Sequence, residues 1–299
     1  MTRPSQILHA TTPNERSAFA SRRLGIVGAA VLLSVLAFGC ALPLGGSGID
    51  LWLPILAFAV VGFVAQMIDG ALGMAYGVSS NSLLLNLGVP PAAASASVHA
   101  AEVVVTGISG LSHWKMGNLD RRLVRGLLVP GVIGGVLGAY ALSSLDGEKI
   151  KPFVALYLLL MGLRILTRAW NYRGEQHGAP RHVGLLGFVG GFFDAIGGGG
   201  WGPIVTTTLV ARGNNPRTAI GSVNFSEFFV TLAESITFVL SLRFAQYWQV
   251  ILGLLLGGAV AAPLAARLTK KVPAKLLLIL VGLLIVGLSA RTLLQSVLR

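Results

Sequence analysis

Two nine-residue stretches decide how this chain is read: Asp69-Gly-Ala-Leu-Gly-Met-Ala-Tyr-Gly77 and Asp194-Ala-Ile-Gly-Gly-Gly-Gly-Trp-Gly202. Each breaks an otherwise apolar run, and they align at an offset of 125 residues. Upstream, Gly62-Phe63-Val64 matches Gly187-Phe188-Val189. Downstream, Gly88 and Pro91 fall on Gly213 and Pro216, Ser97-Val98 on Ser222-Val223, Glu102 on Glu227 and Thr106 on Thr231. The register needs no gap and still pairs Gly162 with Gly287. Chance likeness between apolar helices would match Leu and Val, not Asp, Glu and Pro, so the chain carries an internal duplication.

Composition sets the solvent. Of 299 residues, 54% are hydrophobic and 11% charged, against about a quarter charged in a soluble domain. Repeated apolar runs of spanning length predict an all-α polytopic membrane protein rather than a barrel. The formal charge of +12 does not point to nucleic acid, because the Lys and Arg residues sit in short loops between apolar runs with no basic helix or aromatic platform. The single cysteine, Cys40, excludes an internal disulfide and a multi-Cys metal site. Residues 1–23 read as a cytoplasmic segment and 24–44 as an extra N-terminal transmembrane helix. A signal peptide is the alternative for 24–44, but Ala-Phe-Gly-Cys40 is a poor lipobox and the run is long enough to span.

Each half (52–170 and 183–296) reads as a Gly-interrupted apolar segment, about 54–87 and 183–212, followed by three plainer helices. These lie near 92–112, 122–144 and 152–169, with partners near 217–241, 247–267 and 274–295. Loop charge bears on topology. If each interrupted segment crosses the membrane, the 23 Lys and Arg divide 12 inside and 11 outside; if each is a re-entrant hairpin, they divide 18 and 5. The positive-inside rule favours the hairpins. Three true crossings per half then make the repeats inverted, with the N-terminus cytoplasmic and the C-terminus outside. About 14 residues ahead of Asp69 would give roughly 21 Å of helix, short of the roughly 30 Å hydrocarbon core.

Non-helical backbone at membrane depth is tolerated only where protein or a cavity satisfies it. A half-helix that follows such a break presents a partially positive N-terminus, and two of these facing each other would cradle an anion. The candidate substrate-binding residues are therefore Gly73, Gly77, Ser79, Ser80 and Asn81 in the first half. Gly197, Gly198, Gly199, Gly200, Trp201, Thr206 and Thr207 are their counterparts in the second, with Thr208 close by. The plainer alternative is that these glycines only let helices pack closely. Trp201, aligned with Tyr76, would wall the site or face lipid.

Five acids lie inside apolar segments: Asp69, Glu102, Asp194, Glu227 and Glu234. Buried carboxyls in a membrane mark a pathway, a proton site or a paired group. A carboxylate beside an anion repels it unless protonated, which makes Glu102, Glu227, Asp69 and Asp194 candidate proton carriers. Asp69 and Asp194 have an equally good structural reading as caps of the broken helices. His99 precedes Glu102 by one helical turn and reads as a packing residue; Asn224 takes its place in the second half.

The paired segments Gly62-Phe-Val…Asp69…Gly73 and Gly187-Phe-Val-Gly-Gly-Phe-Phe-Asp194-Ala-Ile-Gly-Gly-Gly-Gly200, each followed by a Pro-containing turn and a small-residue helix, resemble the TauE/SafE sulfite exporter family. The resemblance covers roughly 52–295; helix 24–44 looks like an addition to an eight-segment core. It implies a secondary transporter that moves sulfite or an organosulfur anion across the cytoplasmic (inner) membrane. With the residues above, the expectation is alternating access with proton coupling, a small anion, protons and the lipid bilayer as partners, and no cofactor, metal site or enzymatic activity. Two alternatives stand beside it: a membrane-embedded enzyme acting on an anionic lipid, and a divalent-metal transporter using His99, Glu102 and the aspartates. The sequence leaves oligomeric state open, a homodimer among the options.

Overall fold

The computed structural model describes residues 48–72, 74–170, 182–212, 214–242, 244–268 and 274–298. The expected helix 24–44, the segment 1–23, Cys40 and Gly73 lie outside the described residues. No strand occurs among those described. The helices are α1 Gly48–Leu72, α2 Tyr76–Asn86, α3 Pro91–Lys115, α4 Arg121–Ser144, α5 Gly147–Trp170, α6 Val183–Gly197, α7 Thr207–Ala211, α8 Pro216–Ser241, α9 Trp248–Leu268 and α10 Ala274–Val297. A π-helical turn, Gly202–Thr206, leads into α7, and a 3₁₀ turn, Phe244–Tyr247, into α9.

Element ends repeat at the sequence offset. Leu72 and Gly197 end α1 and α6, Asn86 and Ala211 end α2 and α7, and Pro91 and Pro216 start α3 and α8. Proline suits a first helical position because its missing N–H is one the helix would not have used. Asp120 caps α4 by accepting from the Arg122 amide at 2.8 Å, and Asn215 caps α8 through the Arg217 amide at 3.0 Å.

Among the described residues, six helices are long and apolar enough to cross a membrane: Trp52–Asp69, Pro91–Lys115, Arg121–Ser144, Gly147–Ala169, Arg217–Ser241 and Leu278–Ser296. Their outer faces carry large apolar side chains such as Leu53, Val60, Tyr140, Phe153 and Leu240, while Ser79, Ser80, Asn81, Ser95, Ser97 and His99 are buried. Apolar outside and polar inside is the pattern of a protein dissolved in lipid.

One length expectation needs correcting. The apolar run continues upstream of Pro54 through Ile49, Leu51 and Trp52, so α1 has 25 residues and is about 37 Å long, enough to span. Its counterpart α6 has 15 residues, about 22 Å, and remains short.

Packing is reciprocal between the halves. The interrupted helix α1 runs along α9, and α6 runs along α4, its counterpart; α3 packs on α8 and α5 on α10. Small residues make these crossings close. A Cβ at Gly62 or Gly257 would collide with backbone across the α1–α9 seam, and one at Gly134 or Gly191 with backbone across α4–α6. Membrane helices, lacking a hydrophobic drive to associate, gain most from such close van der Waals approach.

Candidate functional site

The two interruptions meet. A Cβ at Gly77 would overlap the Gly198 carbonyl and Gly199, and a Cβ at Gly199 would overlap Gly77. Gly198 and Gly199 have φ of 64° and 147°, values that only glycine adopts without strain. The first break instead holds Ala75 at φ 85°, an uncommon conformation for a residue with a Cβ.

Each break is capped by its own aspartate, seven residues back. Asp69 Oδ1 accepts from the Tyr76 amide at 3.3 Å; Asp194 Oδ1 accepts from the Trp201 amide at 2.8 Å and from that of Gly200. These carboxylates thus take amides at the positive ends of the two half-helices, where the sequence reading places the substrate. The opening turn of any helix has further amides outside its own ladder, and Gly77, Val78 and Gly202 face the space beside the caps.

That space is a cavity of about 330 Å³. From α3 it takes Glu102, Val105, Thr106, Ser109 and His113, a single stripe at helical spacing. From α8 come Ile220, Asn224 and Glu227, also one face. Asp69 and Asp194 close the end at the breaks. Among the described residues, no Lys or Arg lines it. Among the nominated residues, Gly77, Gly199, Thr206, Glu102, Glu227, Asp69 and Asp194 all border it.

Others are placed elsewhere. Asn81 donates to the Gly197 carbonyl and packs under Gly198, so it ties one break to the other. Ser79 and Ser80 are fully buried, their hydroxyls without a hydrogen-bond partner. Gly197 and Gly200 are covered by the Tyr157 ring and hydroxyl. Trp201 is fully buried against Gly131, Gly190 and Val230, and its indole N–H donates to the Val223 carbonyl at 3.3 Å. Thr207 accepts from Arg168 at 3.0 Å, and Thr208 from Arg164 at 2.9 Å. These α5 arginines hold the second half-helix, and Arg164 also donates to the Pro203 carbonyl at 3.0 Å.

Sequence reading missed Gln66, Met74, Ser109, His113 and Asn224 as lining residues. Asn224 could have been found: it is the counterpart of His99, and its amide donates to Ser109 Oγ at 2.8 Å. His99 itself sits deeper. Its Nε2 lies 2.8 Å from Glu234 Oε2 and 3.6 Å from Asp194 Oδ2. Among the described residues this is the one cluster in which three His or acid side chains bring ligand-type atoms within 4.8 Å of one another.

Apolar-coated crossings around a polar cavity at the meeting of two broken helices are the build of a membrane transporter. The chain belongs to the sulfite exporter TauE/SafE family, which matches residues 58–292. It is 45% identical over 252 residues to a protein named probable membrane transporter protein YtnM of Bacillus subtilis (strain 168), covering 81% of this chain and 83% of that one. A probable membrane transporter protein of Haemophilus influenzae is 27% identical over 197 residues, covering 62% of this chain and 74% of the relative. No solved structure matches. Family and relatives alike indicate a multi-pass transporter and not an enzyme.

Proposed function

We propose that the chain is a secondary transporter for a small anion of the sulfite or sulfonate class, working by alternating access and coupled to protons through Glu102 and Glu227. The observation that carries this is the cavity itself. It has half-helix amides at one end, four carboxyl groups on its walls and, among the described residues, no Lys or Arg in its lining. An anion enters such a space only when Glu102 and Glu227 beside it are neutral, so anion entry and proton entry are linked. The size, about 330 Å³, is at the small end of ligand pockets, which run from about 300 Å³ upward. The family's description as a sulfite exporter supports the anion class.

The two halves, 52–170 and 183–296, are read as inverted repeats with re-entrant broken segments in the cytoplasmic membrane, N-terminus inside and C-terminus outside. The loop-charge division of 18 to 5 and the short α6 support this; the 25-residue α1 lends it no length argument. Asp69 and Asp194 act in this reading as caps first.

Saturable sulfite flux into proteoliposomes, with and without a pH gradient, tests the proposal. Gradient-driven uptake is expected in wild type and is expected to be lost in Glu102→Gln and in Glu227→Gln. Flux untouched by both changes would remove the glutamates from coupling. No flux of any sulfur anion would remove the substrate class.

A further inference from the structure

The duplication relates His99 to Asn224 and Ser109 to Glu234, both at 125 residues. The two cross-repeat contacts are therefore counterparts: Asn224 to Ser109 at 2.8 Å in one, His99 to Glu234 at 2.8 Å in the other. One pair is neutral and borders the cavity. The other is titratable and off the cavity lining, with His99 and Glu234 at 0% exposure, while Asp194 beside it, at 1%, also borders the cavity. Apart from the His99 ring, Asp194 Oδ2 and both Glu234 oxygens have no hydrogen-bond partner.

His99 Nδ1 lies 2.7 Å from the Ser95 carbonyl, so Nδ1 carries a proton and donates. In a neutral ring, Nε2 would then turn a lone pair toward the Glu234 oxygen 2.8 Å away, which is repulsive unless a proton lies between them. Two ligands of one zinc-like ion, at bonds of about 2.0–2.1 Å, stand about 3.3 Å apart in a tetrahedral shell; 2.8 Å is the length of a hydrogen bond. The groups that face the pair are Asp194 from α6, Ser95 and Glu102 from α3, Gly135 from α4 and the Phe238 ring from α8. Among the described residues, no Lys or Arg joins them.

We propose that His99 and Glu234, with Asp194 beside them, form a buried proton-binding site that the duplication built on one side only, and that this site holds the coupled proton in the state where it is sealed from the cavity. This rests on the reading of proton-coupled transport. The neutral counterpart shows that the helix contact itself needs no titratable pair: Asn224 and Ser109 keep it without a charge.

The counterpart also supplies the test variant. His99→Asn with Glu234→Ser copies a pair that the same fold already accommodates. Two readouts are needed in proteoliposomes: pH-gradient-driven sulfite uptake, and sulfite exchange at equal pH. In wild type a one-unit gradient is expected to drive about tenfold accumulation, the ratio one proton per turnover sustains. In the double variant accumulation is expected to vanish while exchange stays within about twofold. Accumulation retained at the wild-type level would overturn the assignment. So would equal loss of accumulation and exchange, which would make the pair structural. Infrared difference spectra of the purified protein between acid and neutral pH read the site without transport. A histidine–carboxyl proton band present in wild type and absent from the double variant is expected. If that band is found but wild type ignores the gradient, the proton site stands and the coupling reading falls. One bound transition-metal ion per chain by mass spectrometry, lost in the double variant, would overturn the proton as occupant.

Discussion

Asp69 and Asp194 occupy equivalent positions and do unequal work. Asp194 is buried and accepts two amides from the second half-helix. Asp69 accepts one, at 3.3 Å. Hydrogen bonds to a charged acceptor are worth about 1.5–3 kcal/mol each, and more when loss leaves buried donors bare. Asp194→Ala is therefore expected to cost roughly 3 kcal/mol or more, and Asp69→Ala about 1 kcal/mol. Thermal unfolding in detergent should show the larger fall in Tm for Asp194→Ala; equal falls would mean that the caps are equivalent despite their geometry. The pairing of the aspartates was legible in the sequence, and so was a capping reading. Their inequality was not, because it depends on Gly198 and Gly199 turning the backbone so that two amides point at one oxygen.

At the scale of elements, the α1–α9 seam brings backbone against backbone at its glycines, beside the apolar side chains of the core. A Cβ at Gly257 would fall on the Ala59 carbonyl, whereas one at Gly287 on α10 meets nothing within 4 Å. Gly257→Val is expected to lose about 3 kcal/mol, the upper range for overpacking, and to fall sharply in folded yield. Gly287→Ala is expected to be neutral or to gain up to about 1 kcal/mol from helix propensity. Size-exclusion profiles of the two variants check this, and a monodisperse Gly257→Val protein would show that the seam can slide apart without loss. Helix ends were predicted within a few residues of where they fall, because Pro91, Pro216 and the glycine runs are local signals. The exceptions are α1, which begins at Gly48 rather than near 54, and α5, which begins at Gly147 rather than near 152, each with a proline inside the helix.

For the whole molecule, the cavity lies on one side of the duplication's centre. Thr106 borders it, while its counterpart Thr231 is fully buried. Both hydroxyls donate to a glutamate carbonyl four residues back, at 2.7 and 2.9 Å, so their surroundings differ in access more than in local structure. Inverted halves that exchange shapes would open Thr231 to the opposite face as Thr106 closes. In a Cys40→Ser background, Thr106→Cys and Thr231→Cys are expected to label from opposite sides of the membrane. Adding sulfite should change the two labelling rates in opposite directions. Labelling of both from one side would sink the inverted arrangement.

The membrane class, the duplication, the helix ends and the two breaks were determined by the sequence itself, because each is written along one dimension: apolar run length, a repeated spacing, a glycine or proline at a terminus. The family resemblance rested on the same local features. Which polar residues border the cavity was decided only by tertiary structure. Ser79, Ser80 and Asn81, nominated beside the first break, are buried away from the cavity lining, while Ser109, His113 and Asn224 come to the cavity from helices further along the chain. His99 and Glu234 stand 135 residues apart in sequence and touch only because α3 packs on α8. A side chain's spacing says which face of its helix it occupies; only the neighbouring helix decides whether that face meets lipid, core or substrate.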